Sequence, residues 1–167
     1  LKVTGSSAYV VKVDGAFVAF GPARSAHGFY RVDELELASY IREGGSVLTI
    51  TVAGYNCNSF YHLDQPSFLC AELSADGALI AATGRNGFSF REVSEHEQKV
   101  ERYSYQRTFC EVYNLDPSLA AWETEKEPAG FSLLETAPTE KKTFIARGCG
   151  YNTYCLLYTS DAADDGE

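Results

Sequence analysis

One stretch near the start of the chain decides the fold: YVVKVDGAFVAF, residues Tyr9–Phe20. Its halves, Tyr9–Val13 and Ala16–Phe20, are short and apolar, with the period-two patterning of half-buried strands. Between them stands Asp14-Gly15, a pair that adopts the positive φ angles of a two-residue hairpin turn. The stretch therefore predicts an antiparallel β-hairpin.

Further strands follow along the chain. Gly44-Gly45 precedes Val47–Ala53, in which alternation predicts an apolar face and a solvent-facing threonine face. A second hairpin is predicted around Asp76-Gly77, from Ser67–Leu73 and Ala78–Ala82. Weaker signals indicate five more strands, at Arg31–Leu35, Phe88–Arg91, Ser104–Val112, Ser132–Glu135 and Thr143–Ala146.

Helical signals are scarce. Leu37–Arg42 is long enough for one turn, and Asp116-Pro117 supplies an N-cap for a short helix over Ser118–Glu123. About ten short strands separated by turn residues predict an all-β protein, an antiparallel β-sandwich or jelly roll. The polar stretch Glu123–Gly130 is expected to be a linker or a surface loop.

Length and charge limit the function classes. The 167 residues suit one domain, and the formal net charge is −9. An acidic chain repels phosphate backbones and anionic membranes, and no apolar run approaches the roughly 20 residues of a membrane helix, so neither nucleic acid nor a membrane is an expected partner. The five cysteines lack metal-site spacing, and as isolated thiols they favour a reducing compartment such as the cytoplasm.

Both ends of the sequence indicate a piece of a longer protein. The chain begins at Leu1 and contains no methionine. CLLYTSDAADDGE, residues 155–167, resembles the translation of a transposase-type sequencing adapter and carries four acidic and no basic residues, so the charge without it is −5 rather than −9. We expect residues 1–154 to form a β-sandwich domain and residues 155–167 to be an artefactual disordered tail.

Catalytic motifs are missing from the sequence. There is no glycine-rich phosphate loop, nucleophile elbow or His-Glu-x-x-His pattern, so no catalytic residue, metal ligand or cofactor is assigned. Asp33, Glu34 and Glu36 cluster, but neighbours along a strand point to opposite faces. We therefore expect these acids to be solvated residues at a strand edge.

Two stretches carry more hydrogen-bonding and aromatic side chains than ordinary loops do: GPARSAHGFYR (Gly21–Arg31) and GYNCNSFYHLDQPSF (Gly54–Phe68). Such side chains can stack on sugar rings and bond to hydroxyls, or they can fill a loop or domain interface. Both interpretations stay open. The candidate residues for sugar binding or interdomain contact are Arg24, His27, Tyr30, Arg31, Tyr55, Asn56, Asn58, Asp64 and Gln65.

These stretches belong to a longer resemblance. Ala8–Leu73, with its Asp-Gly turn, Gly-Pro-Ala-Arg loop and Gly-Tyr-Asn-x-Asn-Ser-Phe run, resembles the N-terminal β-sandwich region of bacterial α-L-rhamnosidase-like glycoside hydrolases of family 78. Arg102–Leu115 and Lys141–Tyr154 are similar to the later strands of that region. The chain departs from the pattern where Cys57 replaces an apolar residue and His62 an aromatic one.

A broader likeness supports the same fold. VDGAFVAF (Val13–Phe20) and GGSVLTITV (Gly44–Val52) resemble the galactose-binding-like jelly roll of β-galactosidase-type enzymes.

The resemblance to the family 78 glycoside hydrolases implies an inverting hydrolase whose catalytic acids lie in an (α/α)6 barrel further along the parent chain. It implies that this chain is a non-catalytic domain packed against that barrel, with an autonomous carbohydrate-binding module as the alternative.

Overall fold

The computed structural model describes residues 1–85, 87–104, 106, 109–116, 121–133 and 141–152. Within them the chain forms ten strands and one short 3-10 helix, Ala38–Tyr40. The strands are β1 (Lys2–Ser6), β2 (Ala8–Val13), β3 (Ala16–Gly21), β4 (Phe29–Glu34), β5 (Leu48–Ala53), β6 (Phe68–Ala75), β7 (Ala78–Ala82), β8 (Ser89–Phe90), β9 (Ser132–Leu133) and β10 (Thr143–Ala146).

The strands form two main sheets and a short pair. The larger sheet has the order β10-β4-β1-β6-β7, the smaller one has the order β3-β2-β5, and β8 pairs with β9. All these pairings are antiparallel except that of β10 with β4, which is parallel. A parallel pair needs a long connection, which the many residues between β4 and β10 supply. The predicted all-β, antiparallel sandwich class is confirmed; the jelly-roll topology stays a prediction.

Both predicted hairpins are confirmed. β2 and β3 are joined at Asp14 and Gly15, whose φ angles are 49° and 75°. Asp76 and Gly77 join β6 and β7 with φ angles of 50° and 78°. Aspartate tolerates the left-handed region and glycine adopts it without penalty, so each Asp-Gly pair fits a turn that needs two positive φ angles.

The core lies between the two main sheets. Its buried centre consists of Val3, Tyr9, Val11 and Ala71, against which the predicted apolar face of β5 packs through Leu48, Ile50 and Val52. The prediction that the threonine face of β5 is solvated is wrong at Thr49, which is only 8% exposed.

Polar contacts on that face involve the stretch that the sequence marked as a linker or surface loop. Thr49 lies opposite Lys12 in the β2–β5 register, so both side chains lie on the same face of the small sheet. The Lys12 ammonium donates to both carboxylate oxygens of Glu123, at 2.6 and 2.9 Å, and Lys126 donates to the carbonyl of Gly44. The segment around Glu123 is therefore fixed to the sandwich as a surface loop.

The weaker strand predictions had mixed outcomes. The signals at Arg31–Leu35, Phe88–Arg91 and Thr143–Ala146 correspond to β4, β8 and β10 within a few residues, and the one at Ser132–Glu135 corresponds to β9, with 134 and 135 outside the described residues. Ser104–Val112 forms no strand among its described residues. Its aromatic character is used in ring contacts instead, since Phe109 stacks on Tyr55.

The helix predictions also divide. The predicted turn over Leu37–Arg42 contains the 3-10 helix. Of the predicted helix Ser118–Glu123, residues 118–120 lie outside the described part of the chain, and Ala121–Thr124 forms a hydrogen-bonded turn through the Thr124 amide and the Ala121 carbonyl.

A buried ion pair between Arg91 and Glu95 predicts acid sensitivity. Two N–O distances of 2.8 Å join the guanidinium to the carboxylate, and the guanidinium also lies over the Trp122 ring. The bond from Arg91 lowers the pKa of Glu95 from its ordinary 4.5 to about 2. Because the folded-state pKa is the lower one, this stabilisation is complete above the unfolded pKa and is lost as the pH falls from 4.5 toward 2.

We expect the urea midpoint of unfolding to fall between pH 5 and pH 2.5, and Glu95→Gln to make that fall shallower. Trp122 is the only tryptophan of the chain and reports unfolding by its fluorescence. Glu101→Gln, at an exposed carboxylate, is the matched control and should keep the wild-type pH profile. Identical profiles for wild type and Glu95→Gln would contradict the assignment.

Candidate functional site

The two unusual stretches of sequence meet at one end of the sandwich. Ala53 pairs with Ala8, and Gly21 with Tyr9, so β5 and β3, which lie on either side of β2, both finish at the same end of the small sheet. The loops that follow these strands are in contact there. The Arg24 guanidinium lies 5.5 Å from the ring centroid of Tyr61.

A second contact between the loops involves Tyr30. Its hydroxyl donates to Gln65 Oε1 at 3.1 Å, and its ring meets Phe68 edge-on at a centroid distance of 4.9 Å. The Lys142 ammonium lies over both rings, 5.0 Å from Tyr30 and 4.2 Å from Phe68. Tyr30 and Gln65 are therefore engaged in a packed cluster that fastens one loop to the other.

The amide side chains of the second loop bond within the loop itself. Asn56 Oδ1 accepts from the Ser67 hydroxyl at 2.9 Å, and Asn58 Oδ1 accepts from the backbone amide of Asp64 at 3.0 Å. These two oxygens fix the loop conformation. The side chains of Asn56 and Asn58 thus have structural contacts within the loop, as the loop-packing alternative predicts, whereas Asp64 takes part through its backbone amide.

Tyr55 is the centre of an aromatic stack in the same loop. Its ring is parallel to those of His62, at 4.4 Å, and Phe109, at 5.8 Å. Burial, together with the positive charges of Arg24 and Arg102, lowers the pKa of His62. A neutral imidazole at neutral pH suits such a stack.

Arg31 binds the first loop to the C-terminal segment. Its Nε donates to the carbonyl of Arg24 at 2.8 Å, while Nη1 donates to the carbonyls of Ala146 and Arg147. Arg31 is therefore a structural tie more than a free ligand contact. His27, by contrast, is exposed and has no hydrogen-bond or ion-pair partner among the described residues.

The interpretation of Asp33 as a solvated edge residue is wrong. Its side chain is 1% exposed, accepts a hydrogen bond from the Tyr9 hydroxyl, and pairs with Arg147 Nη1 at 2.7 Å. Burial, and then the bond to Asp33, raise the pKa of Tyr9 far above its usual range. Glu34 and Glu36 are not buried, so the error concerns one acid of the three.

The alternation of side chains along β4 and Leu35 could have indicated that Asp33 is buried. Leu35 packs against the core, and Asp33 lies two residues before it, on the same face of the chain. The buried charge of Asp33 is neutralised by Arg147, which directly follows β10 and is 114 residues away in the sequence. That pairing is not visible in the sequence.

A groove lies beside this buried pair, with a volume of about 390 Å³. Its lining combines the end of β3 and the following loop with the segment after β10: Phe20, Gly21, Pro22, Ala23, Arg24, Arg147, Cys149, Gly150 and Asn152. Of the nine predicted site residues, Arg24 lines this groove. Sequence reasoning missed Arg147 and Asn152, whose place depends on the parallel pairing of β10.

A second groove, of about 510 Å³, lies between β8 and the segment around Gly130. Its cationic group is Arg91, whose charge is already matched by Glu95. It therefore offers a ligand less charge than the groove beside Arg24.

Metal and membrane features are not found in the part of the chain that the structure describes. No group of three or more His, Cys, Asp or Glu residues in those ranges is placed to hold a metal ion. Cys57, Cys70, Cys110 and Cys149 are free thiols. Within the same ranges, no helix has the length and apolar character needed to cross a membrane.

No protein-family model, curated protein or solved structure matches this chain. Fold and site together define a class only: an all-β, two-sheet protein with a groove at one end of the sandwich that is lined by two arginines.

Proposed function

We propose that the chain is a non-catalytic accessory β-sandwich domain of a bacterial α-L-rhamnosidase-type glycoside hydrolase. In this proposal it packs against an (α/α)6 catalytic domain of the same parent chain. The resemblance of Ala8–Leu73 and the two-sheet architecture support it. Catalytic residues are not assigned to this chain, and bond cleavage belongs to the partner domain.

The observation that carries the proposal is the apolar tip of the second loop. Tyr61 and Leu63 are 44% and 47% exposed, although both are large and apolar. The backbone of the tip is hydrogen-bonded within the loop, because Ser59 Oγ accepts from the amides of Tyr61 and His62 at 3.0 Å each. Apolar side chains presented on a fixed backbone suit a domain interface, where they gain burial without a large ordering cost.

The test is the uninterrupted gene and its product. We expect the region after residue 154 to encode paired helices that bear acidic residues. In that full product, Tyr61→Ser with Leu63→Ser should lower the melting temperature and the turnover of an aryl α-L-rhamnoside, whereas the same change should leave the melting temperature of the isolated chain within about 2 °C. Leu133→Ser, at an exposed leucine of β9, is the control.

Two results would overturn this proposal. One is a stop codon soon after residue 154, which would favour a self-contained binding module. The other is hydrolysis of the aryl rhamnoside by the purified 167-residue chain, which would place the catalytic acids inside it.

Carbohydrate binding by the domain itself is the second candidate function, and the groove beside Arg24 favours it. Phe20 and Pro22 provide apolar surface, while Arg24 and Asn152 provide planar hydrogen-bond donors. A volume of about 390 Å³ lies within the range of small-molecule sites, roughly 300–1,000 Å³. An autonomous module would bind a saccharide in this groove without the partner domain.

A further inference from the structure

The groove beside Arg24 is cationic within an acidic protein. Two arginines, Arg24 and Arg147, line it, and the one carboxylate that pairs with either of them in the described part of the chain is that of Asp33. Asp33 is buried behind Arg147 and does not line the groove. The local charge is therefore positive, whereas the whole chain carries −9.

Arg147 is held as a fixed donor. Nη1 bonds to Asp33, Nε donates to the carbonyls of Cys149 and Gly150 at 3.2 and 3.3 Å, and the guanidinium lies 4.3 Å from the ring centroid of Tyr151. Nη2 has no acceptor among the described residues. A guanidinium that is already ordered loses little side-chain freedom when it binds an anion, which favours affinity.

Arg24 supplies the charge that Asp33 does not compensate. Its guanidinium rests over Tyr61 and has no carboxylate partner in the described ranges. Its backbone carbonyl is fixed by Arg31 Nε at 2.8 Å. Two arginines on opposite lining segments are suited to the planar, two-oxygen geometry of a carboxylate, which guanidinium groups bind through paired hydrogen bonds.

The rest of the lining indicates what bears that carboxylate. Pro22 and the exposed part of Phe20, which is 46% exposed, offer an apolar surface for the C–H face of a sugar ring, and the Asn152 amide can both donate to and accept from hydroxyls. We propose that this groove binds an acidic saccharide, with the sugar carboxylate at Arg24 and Arg147 and the ring against this apolar surface. This inference rests on the second proposed function, carbohydrate binding, and specifies its ligand class.

The test compares two sugars that differ at one carbon. D-glucuronate and D-glucose are titrated into the 167-residue chain, and binding is followed by calorimetry and by amide chemical shifts. We expect glucuronate to bind at least tenfold more tightly than glucose and to shift the amide signals of residues 20–24 and 147–152. Arg24→Gln should lower the glucuronate affinity at least tenfold, because a charged hydrogen bond and an uncompensated positive charge are lost.

Two further variants keep the test decisive. Asn152→Asp places a like charge beside the ligand carboxylate without removing a buried group, and it should also lower the glucuronate affinity at least fivefold. Arg42→Gln is the matched control, because Arg42 pairs with Asp14 at the opposite end of the β2–β3 hairpin. It should leave the affinity within twofold of wild type.

Each other outcome overturns the inference in a distinguishable way. Equal binding of glucose and glucuronate removes the acidic ligand but leaves carbohydrate binding standing. Equal binding of acetate and glucuronate makes the groove a simple anion site and removes the saccharide. No binding of any probe removes both, and leaves the accessory-domain proposal to its own test on the full gene product.

Discussion

Asp33→Asn is expected to destabilise the fold by about 3–5 kcal/mol, the cost of removing one partner of a buried ion pair. Asn retains the shape and, with its oxygen toward the Tyr9 hydroxyl, turns an NH2 donor toward Arg147, so both the charge and the acceptor for Arg147 are lost. The Arg147 side chain, only 10% exposed, would then be a largely buried positive charge with no carboxylate partner among the described residues. A domain is stabilised by only about 5–15 kcal/mol, so the effect is large.

Urea unfolding, followed by Trp122 fluorescence and far-UV circular dichroism, measures this loss. Glu34→Gln is the control, because Glu34 is the next residue on β4 but exposed, with Lys2 4.0 Å away. It should change the free energy of unfolding by no more than about 0.5 kcal/mol. Equal effects of the two variants would show that the buried pair contributes nothing special.

A double variant separates the pair from its surroundings. Asp33→Asn combined with Arg147→Met leaves no buried charge, and it should recover part of the stability that the single Asp33→Asn change removes. A double variant less stable than either single one would contradict the uncompensated charge as the cause.

Gly21→Ala is expected to cost about 1–3 kcal/mol, and the reason is space rather than backbone conformation. A methyl group at Gly21 would be directed into the Tyr9 hydroxyl and the Asp33 carboxylate, well inside van der Waals contact. Both groups are buried and hydrogen-bonded to each other, so neither can move away cheaply. Gly21 also lines the groove, and its change should disturb the Arg147 side chain through Asp33.

The matched control is Gly150→Ala, because a methyl group at Gly150 meets no atom within 4 Å. Its free energy of unfolding should stay within about 0.5 kcal/mol of wild type. If the added methyl group destabilises the fold by its contact with the Tyr9 hydroxyl, Tyr9→Phe should lower the free energy of unfolding less in the Gly21→Ala background than in the wild type. Additive effects would mean that the clash is not the cause.

Local strand and turn chemistry was readable in advance. The Asp14-Gly15 and Asp76-Gly77 turns follow from the φ angles that these two residue types accept, and the apolar face of β5 follows from alternation. These features depend on residues within a few positions of each other. The prediction from alternation was wrong at Thr49, because the burial of this side chain depends on elements other than β5.

The site was readable only in part. The residue content of the two loops marked them as unusual, and they do contact each other through Arg24, Tyr30 and Gln65. The sequence did not show which of these side chains form hydrogen bonds within the protein and stabilise the loops. Asn56, Asn58 and Arg31 have the same chemistry as ligand-binding residues, and only their neighbours in space show that they bond to the protein itself.

The sequence by itself determined the all-β class, the two Asp-Gly hairpins and the loops that bear the unusual side chains, since these depend on propensities and periodicities that act over short separations. Tertiary structure alone decided that β10 lies beside β4, that Arg147 therefore neutralises Asp33, and that a groove opens between Arg24 and the segment after β10. The physical reason is that a pairing across more than a hundred residues is selected by the packing of the whole sandwich, and no local pattern encodes it.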